Sequence, residues 1–151
     1  MEFCRCETGG EAPSKRAAHS LLVHDKAIWV FGGNCDLQFY NDMYYYSLSE
    51  AVWKQVTYTN ESADSNNVPS PRAGHSMESY DNFVVVFGGG NRTQFFGELY
   101  FFDVVNSKWE LKIPKVLILT STNRAEDLRN VPVILQSRFH LHNAAYLEVE
   151  I

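Results

Sequence analysis

The chain has 151 residues, 45% hydrophobic and 14% aromatic, with 13 basic and 18 acidic residues and a formal net charge of −5. This balance disfavours a nucleic-acid partner, because proteins that bind the phosphate backbone concentrate Lys and Arg on one face. No apolar stretch approaches the roughly 20 residues of a membrane-spanning helix, so we expect no membrane partner.

The N-terminal segment, residues 1–12, lacks the basic head and the apolar core of a secretory signal. Three cysteines, an odd number, suit a reducing compartment. Cys4 and Cys6 are a weak metal-binding signal, because Cys35 is the one further cysteine that could join them. We therefore expect a cytoplasmic protein, or a nuclear one, that carries no cofactor.

The central part of the chain repeats itself. At an offset of 56 residues, 15 of the 46 positions from 13 to 58 are identical, and the match has no gap. Self-similarity at a fixed period of this length is typical of stacked or radial repeat architectures. We divide this part into a first repeat, 13–58, a polar inter-repeat loop, 59–68, and a second repeat, 69–113.

The first repeat predicts four strands. The first lies near 19–23, and the second, 27–31, is a fully apolar run of the kind buried on both faces. The doublet Gly32-Gly33 ends it, because glycine readily takes the positive φ angles of a sharp exit. Aromatic residues then predict a third strand at 43–48, and a short fourth follows at 52–56.

The second repeat predicts the same four strands in the same order. They lie at 76–80, 83–87, 99–103 and 108–113. Consecutive strands joined by short turns form antiparallel sheets, so each repeat is expected to be a four-stranded antiparallel sheet.

Both repeats resemble kelch repeats, the blades of a β-propeller. They share an Arg and a His before the first strand, a double glycine after the second, and then a spaced Tyr and Trp. The residues that carry this resemblance are Arg16, His19, Gly32, Gly33, Tyr44 and Trp53 in the first repeat, and Arg72, His75, Gly88, Gly89, Tyr100 and Trp109 in the second. The resemblance implies an all-β fold, a partial kelch-type β-propeller with two four-stranded antiparallel blades.

The pairs His19-Ser20 and His75-Ser76 place a base beside a hydroxyl, as some enzymes do. Adjacent residues of a strand point to opposite faces, however, so neither serine readily meets its neighbouring histidine. A catalytic group also has no reason to be duplicated in both repeats. We therefore predict no enzyme, and interpret the repeated Arg and His as ties for the blade backbone. The repeated Tyr and Trp are interpreted as blade-to-blade contacts.

The loops between the second and third strands, 34–40 and 90–96, differ most between the repeats. The kelch resemblance implies that loops of this class line one face and bind proteins, and loops on a rigid scaffold commonly carry function. The predicted partner-binding residues are Asp36, Phe39, Tyr40, Arg92, Phe95 and Phe96. For the repeated Phe39 and Phe95 the alternative is that they lie under the loop as part of the blade.

The C-terminal tail, 114–151, does not continue the repeat, and its structure stays uncertain at the sequence level. Its pattern is compatible with a strand at 115–120, a helical turn at 124–129 and a half-buried strand at 146–151. Since propellers close with about four to eight blades, two are not enough. The remaining blades are expected from a longer chain or from association with other chains.

These features predict a non-enzymatic protein–protein interaction module. Because many kelch proteins are substrate receptors of cullin-based ubiquitin ligases, the resemblance offers that role as one option. The alternative is a secreted or oxidase-like propeller of the galactose oxidase type. It predicts bound copper, or glycans on the N-glycosylation patterns at Asn60 and Asn91, although no copper ligand set can be assembled from the scattered histidines and tyrosines.

Overall fold

The computed structural model describes residues 8–59, 67–112, 115–117 and 146–148. Strands and turns dominate these residues, and the predicted all-β fold is confirmed. The strands are β1 Gly9–Gly10, β2 Ser20–His24, β3 Ala27–Phe31, β4 Asn34–Cys35, β5 Gln38–Phe39, β6 Met43–Ser47, β7 Val52–Gln55, β8 Ser76–Tyr80, β9 Phe83–Phe87, β10 Leu99–Asp103, β11 Lys108–Lys112, β12 Lys115–Leu117 and β13 Tyr146–Glu148.

The first repeat forms a five-stranded sheet in the order β1-β7-β6-β3-β2. Its four main strands are antiparallel, with Trp29 opposite Leu22 on one side and opposite Tyr45 on the other. The central strand β3 is almost wholly buried, as its apolar run predicted. The β2–β3 turn lies at one end of this sheet, and the double glycine lies at the other.

The second repeat forms a four-stranded sheet in the order β11-β10-β9-β8. The predicted bounds of β8, β9 and β10 match the structure, and β11 ends one residue before the prediction. In register, Val86 lies opposite Met77 and Tyr100, and the alternation places these side chains on one face. The 56-residue repeat is therefore a repeat of whole sheets.

Two short elements were not predicted. β1 pairs with β7 in parallel. Gly10 has a φ of 79°, and a Cβ at this position would collide with the Trp53 carbonyl oxygen. β4 and β5 form a small hairpin whose turn holds Asp36 at a φ of 50°. Both elements consist of two-residue strands, which are too short to show a period of two in the sequence.

The hydrophobic core lies between the two sheets. Trp29 and Phe31 of the first sheet contact Phe102 and Trp109 of the second, with ring centroids 6.1 Å apart for Trp29–Phe102 and 5.2 Å apart for Phe31–Trp109. Phe31, Phe102 and Trp109 are fully buried. Large aromatic side chains carry much of the hydrophobic stabilisation of such an interface, so the two sheets stabilise each other.

The unit from Lys112 to Ile151 is separate from the first. In it, β12 and β13 pair in antiparallel register, with Leu117 opposite Tyr146. Both strands lie inside stretches whose patterns were compatible with strands. The helical turn considered at 124–129 and residues 60–66 of the predicted loop lie outside the described residues.

Candidate functional site

Arg16 fastens the segment before the first blade to the double glycine. Its Nε donates to the Ser14 carbonyl oxygen at 3.1 Å, and its Nη1 donates to the Gly32 carbonyl oxygen at 3.1 Å. The Asp42 carboxylate accepts two further hydrogen bonds from the guanidinium, at 2.5 and 3.1 Å. The guanidinium also lies over the Tyr40 ring, 4.4 Å from its centroid. This bidentate and stacked geometry suits Arg and not Lys.

Arg72 repeats this arrangement in the second blade. Its Nε donates to the Ser70 carbonyl oxygen at 3.0 Å, its Nη1 donates to the Gly88 carbonyl oxygen at 3.0 Å, and its guanidinium lies 4.2 Å from the centroid of Phe96. The acidic partner is more distant, because Glu98 Oε2 lies 3.7 Å from Nη1. Burial lowers the pKa of Arg72, which is fully buried.

These contacts show the surroundings of two of the predicted partner-binding residues. Phe96 is 8% exposed and lies beneath Arg72, so little of its ring is accessible to a partner. Tyr40, at the equivalent position, is half-buried beneath Arg16. The signal missed at the sequence level was the acidic position 26 residues after each arginine, Asp42 and Glu98, which marks each arginine as the centre of a cluster.

His75 lies where the two blades meet. Its ring contacts the Phe31 ring edge-on, with centroids 5.2 Å apart, and its carbonyl oxygen accepts a 2.6 Å hydrogen bond from Ser20 Oγ. Burial, followed by the charge of Arg72, lowers the pKa of His75 to about 4, and the Phe31 backbone acts in the opposite direction. Among the described residues, neither ring nitrogen has a hydrogen-bond partner. The role of the repeated histidines as backbone ties stays a prediction, and the His75 ring in addition packs against Phe31.

Backbone hydrogen bonds also join the blades beside the double glycine. Gly33 N donates to the Arg72 carbonyl oxygen at 2.8 Å, and Arg72 N donates to the Tyr40 carbonyl oxygen at 3.0 Å. On the other side, Gly74 N donates to the Ala18 carbonyl oxygen at 2.9 Å. These bonds fix the end of the first loop against the start of the second repeat.

The first loop, 34–39, is the β4–β5 hairpin. It exposes Asp36 and Leu37 at its tip, and Leu37 is 69% exposed. Phe39 is half-buried, so part of its ring is available to a partner and part belongs to the blade.

The second loop, 90–95, is a compact turn. Asn91 Oδ1 accepts hydrogen bonds from Thr93 N at 2.9 Å, Thr93 Oγ1 at 2.9 Å and Gln94 N at 3.2 Å. Arg92 is exposed at its tip, and Phe95 is 95% exposed. Phe95 therefore does not lie under the loop, and its role as a partner-binding residue stays a prediction.

The repeated aromatic residues have different surroundings in the two blades. Trp109 is fully buried and contacts Phe102 at 5.0 Å and Tyr58 at 5.9 Å between ring centroids. The equivalent Trp53 is half-buried and contacts Tyr46 at 5.2 Å. Of these two repeated tryptophans, Trp109 belongs to the core between the sheets and Trp53 does not.

Within the ranges that the structure describes, no group of three or more His, Cys, Asp or Glu residues is arranged to hold a metal ion. Cys4 and Cys6 lie outside those ranges, and Cys35 is a free, exposed cysteine. Those ranges contain no helix that is long and apolar enough to cross a bilayer.

A family model for the KLHDC2/KLHL20/DRC7 kelch-repeats domain matches residues 1–124. The chain belongs to the kelch-repeat family. This assignment agrees with the repeated arginine clusters and with the double glycines, and it supports a general role as a protein–protein interaction module. Kelch repeats are typically non-enzymatic.

Known kelch relatives are much longer than this chain. It is 31% identical to tip elongation aberrant protein 1 of Schizosaccharomyces pombe over 119 residues, which cover 73% of the chain and 10% of that protein. It is 26% identical to tip elongation aberrant protein 3 of the same yeast over 125 residues, 68% of the chain and 11% of that protein. With human leucine-zipper-like transcriptional regulator 1, it is 26% identical over 105 residues, 70% of the chain and 12% of that protein.

Proposed function

We propose that the chain binds a protein partner through the two loops beside the double glycines, 34–39 and 90–95. The observation that carries this proposal is Phe95, a large aromatic residue that is 95% exposed on a hydrogen-bonded turn of a rigid scaffold. Exposed aromatic residues of this kind supply much of the binding energy of protein interfaces. Asp36 and Arg92, both exposed, add charges of opposite sign at equivalent positions.

The binding unit is proposed to be a larger propeller to which this chain contributes two blades. The chain spans only about a tenth of the length of the curated relatives it matches. We expect the remaining blades to come from a longer protein, and association with other copies is the alternative. Size-exclusion chromatography with light scattering distinguishes these cases, because ring closure by copies gives a folded oligomer of defined size.

Proximity labelling with the full chain fused to a biotin ligase tests the binding function. Three forms are compared: the unaltered chain, the double variant Asp36→Ala/Arg92→Ala, and the control Asp25→Ala in the β2–β3 turn at the other end of the first sheet. We expect a set of proteins that the unaltered chain and the control both label and that the double variant no longer labels. Identical labelling by all three forms would contradict the use of these loops.

We further propose a cytoplasmic module that recognises substrates for a cullin-based ubiquitin ligase, with no nucleic-acid or membrane partner. This role follows from the kelch resemblance alone. If it holds, the proteins labelled through the loops become more abundant when the chain is depleted, and inhibition of cullin activation abolishes that difference. Unchanged abundance would leave a binding module without a ligase role. Imaging of the tagged chain tests the location.

A further inference from the structure

Loop 90–95 presents its aromatic residue more fully than any comparable part of the described structure. Phe95 is 95% exposed, whereas the next most exposed large hydrophobic residues, Val105 and Leu37, are 71% and 69% exposed. The equivalent Phe39 of the first loop is half-buried. The two loops therefore offer a partner different surfaces, although they occupy the same position of the repeat.

Hydrogen bonds order the backbone of this turn before any partner arrives. Asn91 N donates to the Gln94 carbonyl oxygen at 2.9 Å, and Gly90 forms a bridge with Phe95. A Cβ on Gly90 would lie only 2.9 Å from Phe95 Cδ1, so the ring lies directly against the Gly90 backbone. A preorganised loop backbone loses little conformational entropy on binding, which increases affinity.

Arg92 gives this turn a positive charge. It is exposed, and within the described residues it takes part in no ion pair. Asp42 and Glu98 are the acidic partners of Arg16 and Arg72, not of Arg92. An unpaired surface cation increases the association rate with a negatively charged partner, and salt weakens this effect.

We propose that loop 90–95 inserts Phe95 into an apolar pocket of a folded partner protein, and that carboxylates on the rim of that pocket pair with Arg92. A ring that is 95% exposed protrudes from the surface, so a concave partner removes more of it from water than an extended peptide can. This inference rests on the proposed binding function and deepens it, because it names the principal contact and the chemistry of the partner.

The experiment places a photoreactive phenylalanine analogue, p-benzoylphenylalanine, in the full chain at position 95, and in separate preparations at positions 39 and 105. Position 105 is an exposed control in the turn between β10 and β11, at the other end of the second sheet. We expect position 95 to give the strongest crosslink to a protein that is also labelled through the loops. Mass spectrometry is expected to map it to apolar residues flanked by Asp or Glu.

Affinities for that purified partner then test the two side chains separately. Phe95→Ala is expected to weaken binding at least about tenfold, as loss of an interface hot spot does. Arg92→Glu is expected to weaken binding, and its affinity is expected no longer to decrease when salt is added. Arg92→Lys is expected to retain most of the salt dependence of the affinity. Val105→Ala is expected to change the affinity less than about twofold, because its position is remote from the loop. Melting curves confirm that each variant is folded.

Three results would overturn the proposal. One is a partner that depends on the loops but binds Phe95→Ala within twofold of the unaltered chain. Another is a crosslinked site that has no acidic residues, or an Arg92→Glu variant that binds the partner as tightly as the unaltered chain does. The third is full affinity for the crosslinked segment as an isolated synthetic peptide, which would replace the pocket with an extended ligand. If, in contrast, proximity labelling is the same for the unaltered chain and for the double loop variant, the binding function itself is refuted, and this inference with it.

Discussion

Gly32 of the first blade lies directly against His75 of the second. A Cβ on Gly32 would lie 2.9 Å from His75 Cε1 and 2.8 Å from the Arg72 carbonyl oxygen. Gly88, its equivalent in the second blade, has a similar φ, 70° against 60°, but its nearest atom to such a Cβ is the Phe96 carbonyl oxygen at 3.5 Å. The two glycines therefore share one backbone conformation and differ in their surroundings.

Alanine substitutions at Gly32 and Gly88 distinguish the cost of backbone strain from the cost of a steric clash between the blades. Gly88→Ala is expected to lower the free energy of unfolding by about 1–2 kcal/mol, the strain of a left-handed backbone. Gly32→Ala is expected to lower it by about 2–4 kcal/mol, because the new methyl group also overpacks the blade junction. Urea unfolding at constant m-value measures both changes. Equal losses would show that the junction relaxes without penalty.

Removal of the acidic charge is expected to affect the two arginine clusters differently. Asp42→Asn leaves the Arg16 side chain, which is 3% exposed, without its bidentate carboxylate, and we expect a loss of about 2 kcal/mol in unfolding free energy. Glu98→Gln changes a 3.7 Å pair whose acid is 42% exposed, so the loss is expected to stay below about 1 kcal/mol. A larger effect at Glu98 in chemical denaturation would contradict this order.

The lowered pKa of His75 makes stability depend on pH. The folded chain keeps His75 neutral down to its pKa of about 4, whereas the unfolded chain binds the proton near the ordinary value of 6.5. The unfolded state therefore takes up more protons, and stability falls as the pH decreases from about 6.5 to about 4, by about 3 kcal/mol in total from this group.

His75→Phe tests this linkage, since it keeps an aromatic ring beside Phe31 and removes the titration. Unfolding free energies at several pH values between 4 and 7 are expected to show a shallower slope for the variant than for the unaltered chain. If both slopes agree, another group causes the dependence and His75 does not.

Tyr58 links the segment after β7 to the second blade. Its hydroxyl donates to the Asn41 carbonyl oxygen at 2.8 Å, and its ring contacts Phe102 and Trp109. Tyr58→Phe keeps the ring contacts and leaves the Asn41 carbonyl unpaired, so we expect a loss of about 1 kcal/mol. As a control, Tyr46→Phe, whose hydroxyl has no hydrogen bond within the described residues, should stay within about 0.5 kcal/mol. Thermal melts of both variants provide the comparison.

The sequence predicted the sheets well because their signals are local. The apolar run of β3, its repetition in β9 and the glycines after each run decide the strand positions without knowledge of the rest of the chain. The predicted bounds of the eight main strands differ from the structure by at most one residue at either end. The pairing of β1 with β7 was not predictable, because it joins two residues to a strand more than 40 positions away.

The candidate site was predicted less completely. The loops were identified by their variability, but Phe95 and Phe96 are adjacent in the sequence and have opposite environments, 95% and 8% exposed. That difference arises because Phe96, and not Phe95, lies beneath Arg72. The sequence predicts it only if the 24-residue spacing between Arg72 and Phe96 is taken to indicate a contact. Similarly, the packing of the His75 ring against Phe31 was not predicted, because it joins residues of two different blades.

The core between the blades also has a direction. Val86, Tyr100 and Trp109 face the first sheet, and their equivalents 56 residues earlier, Val30, Tyr44 and Trp53, lie on the opposite side of that sheet from Phe31. The contact between blades therefore joins two different faces, which makes it heterologous. Further blades can repeat this contact only in head-to-tail order, so a two-fold pairing of identical faces does not extend this architecture.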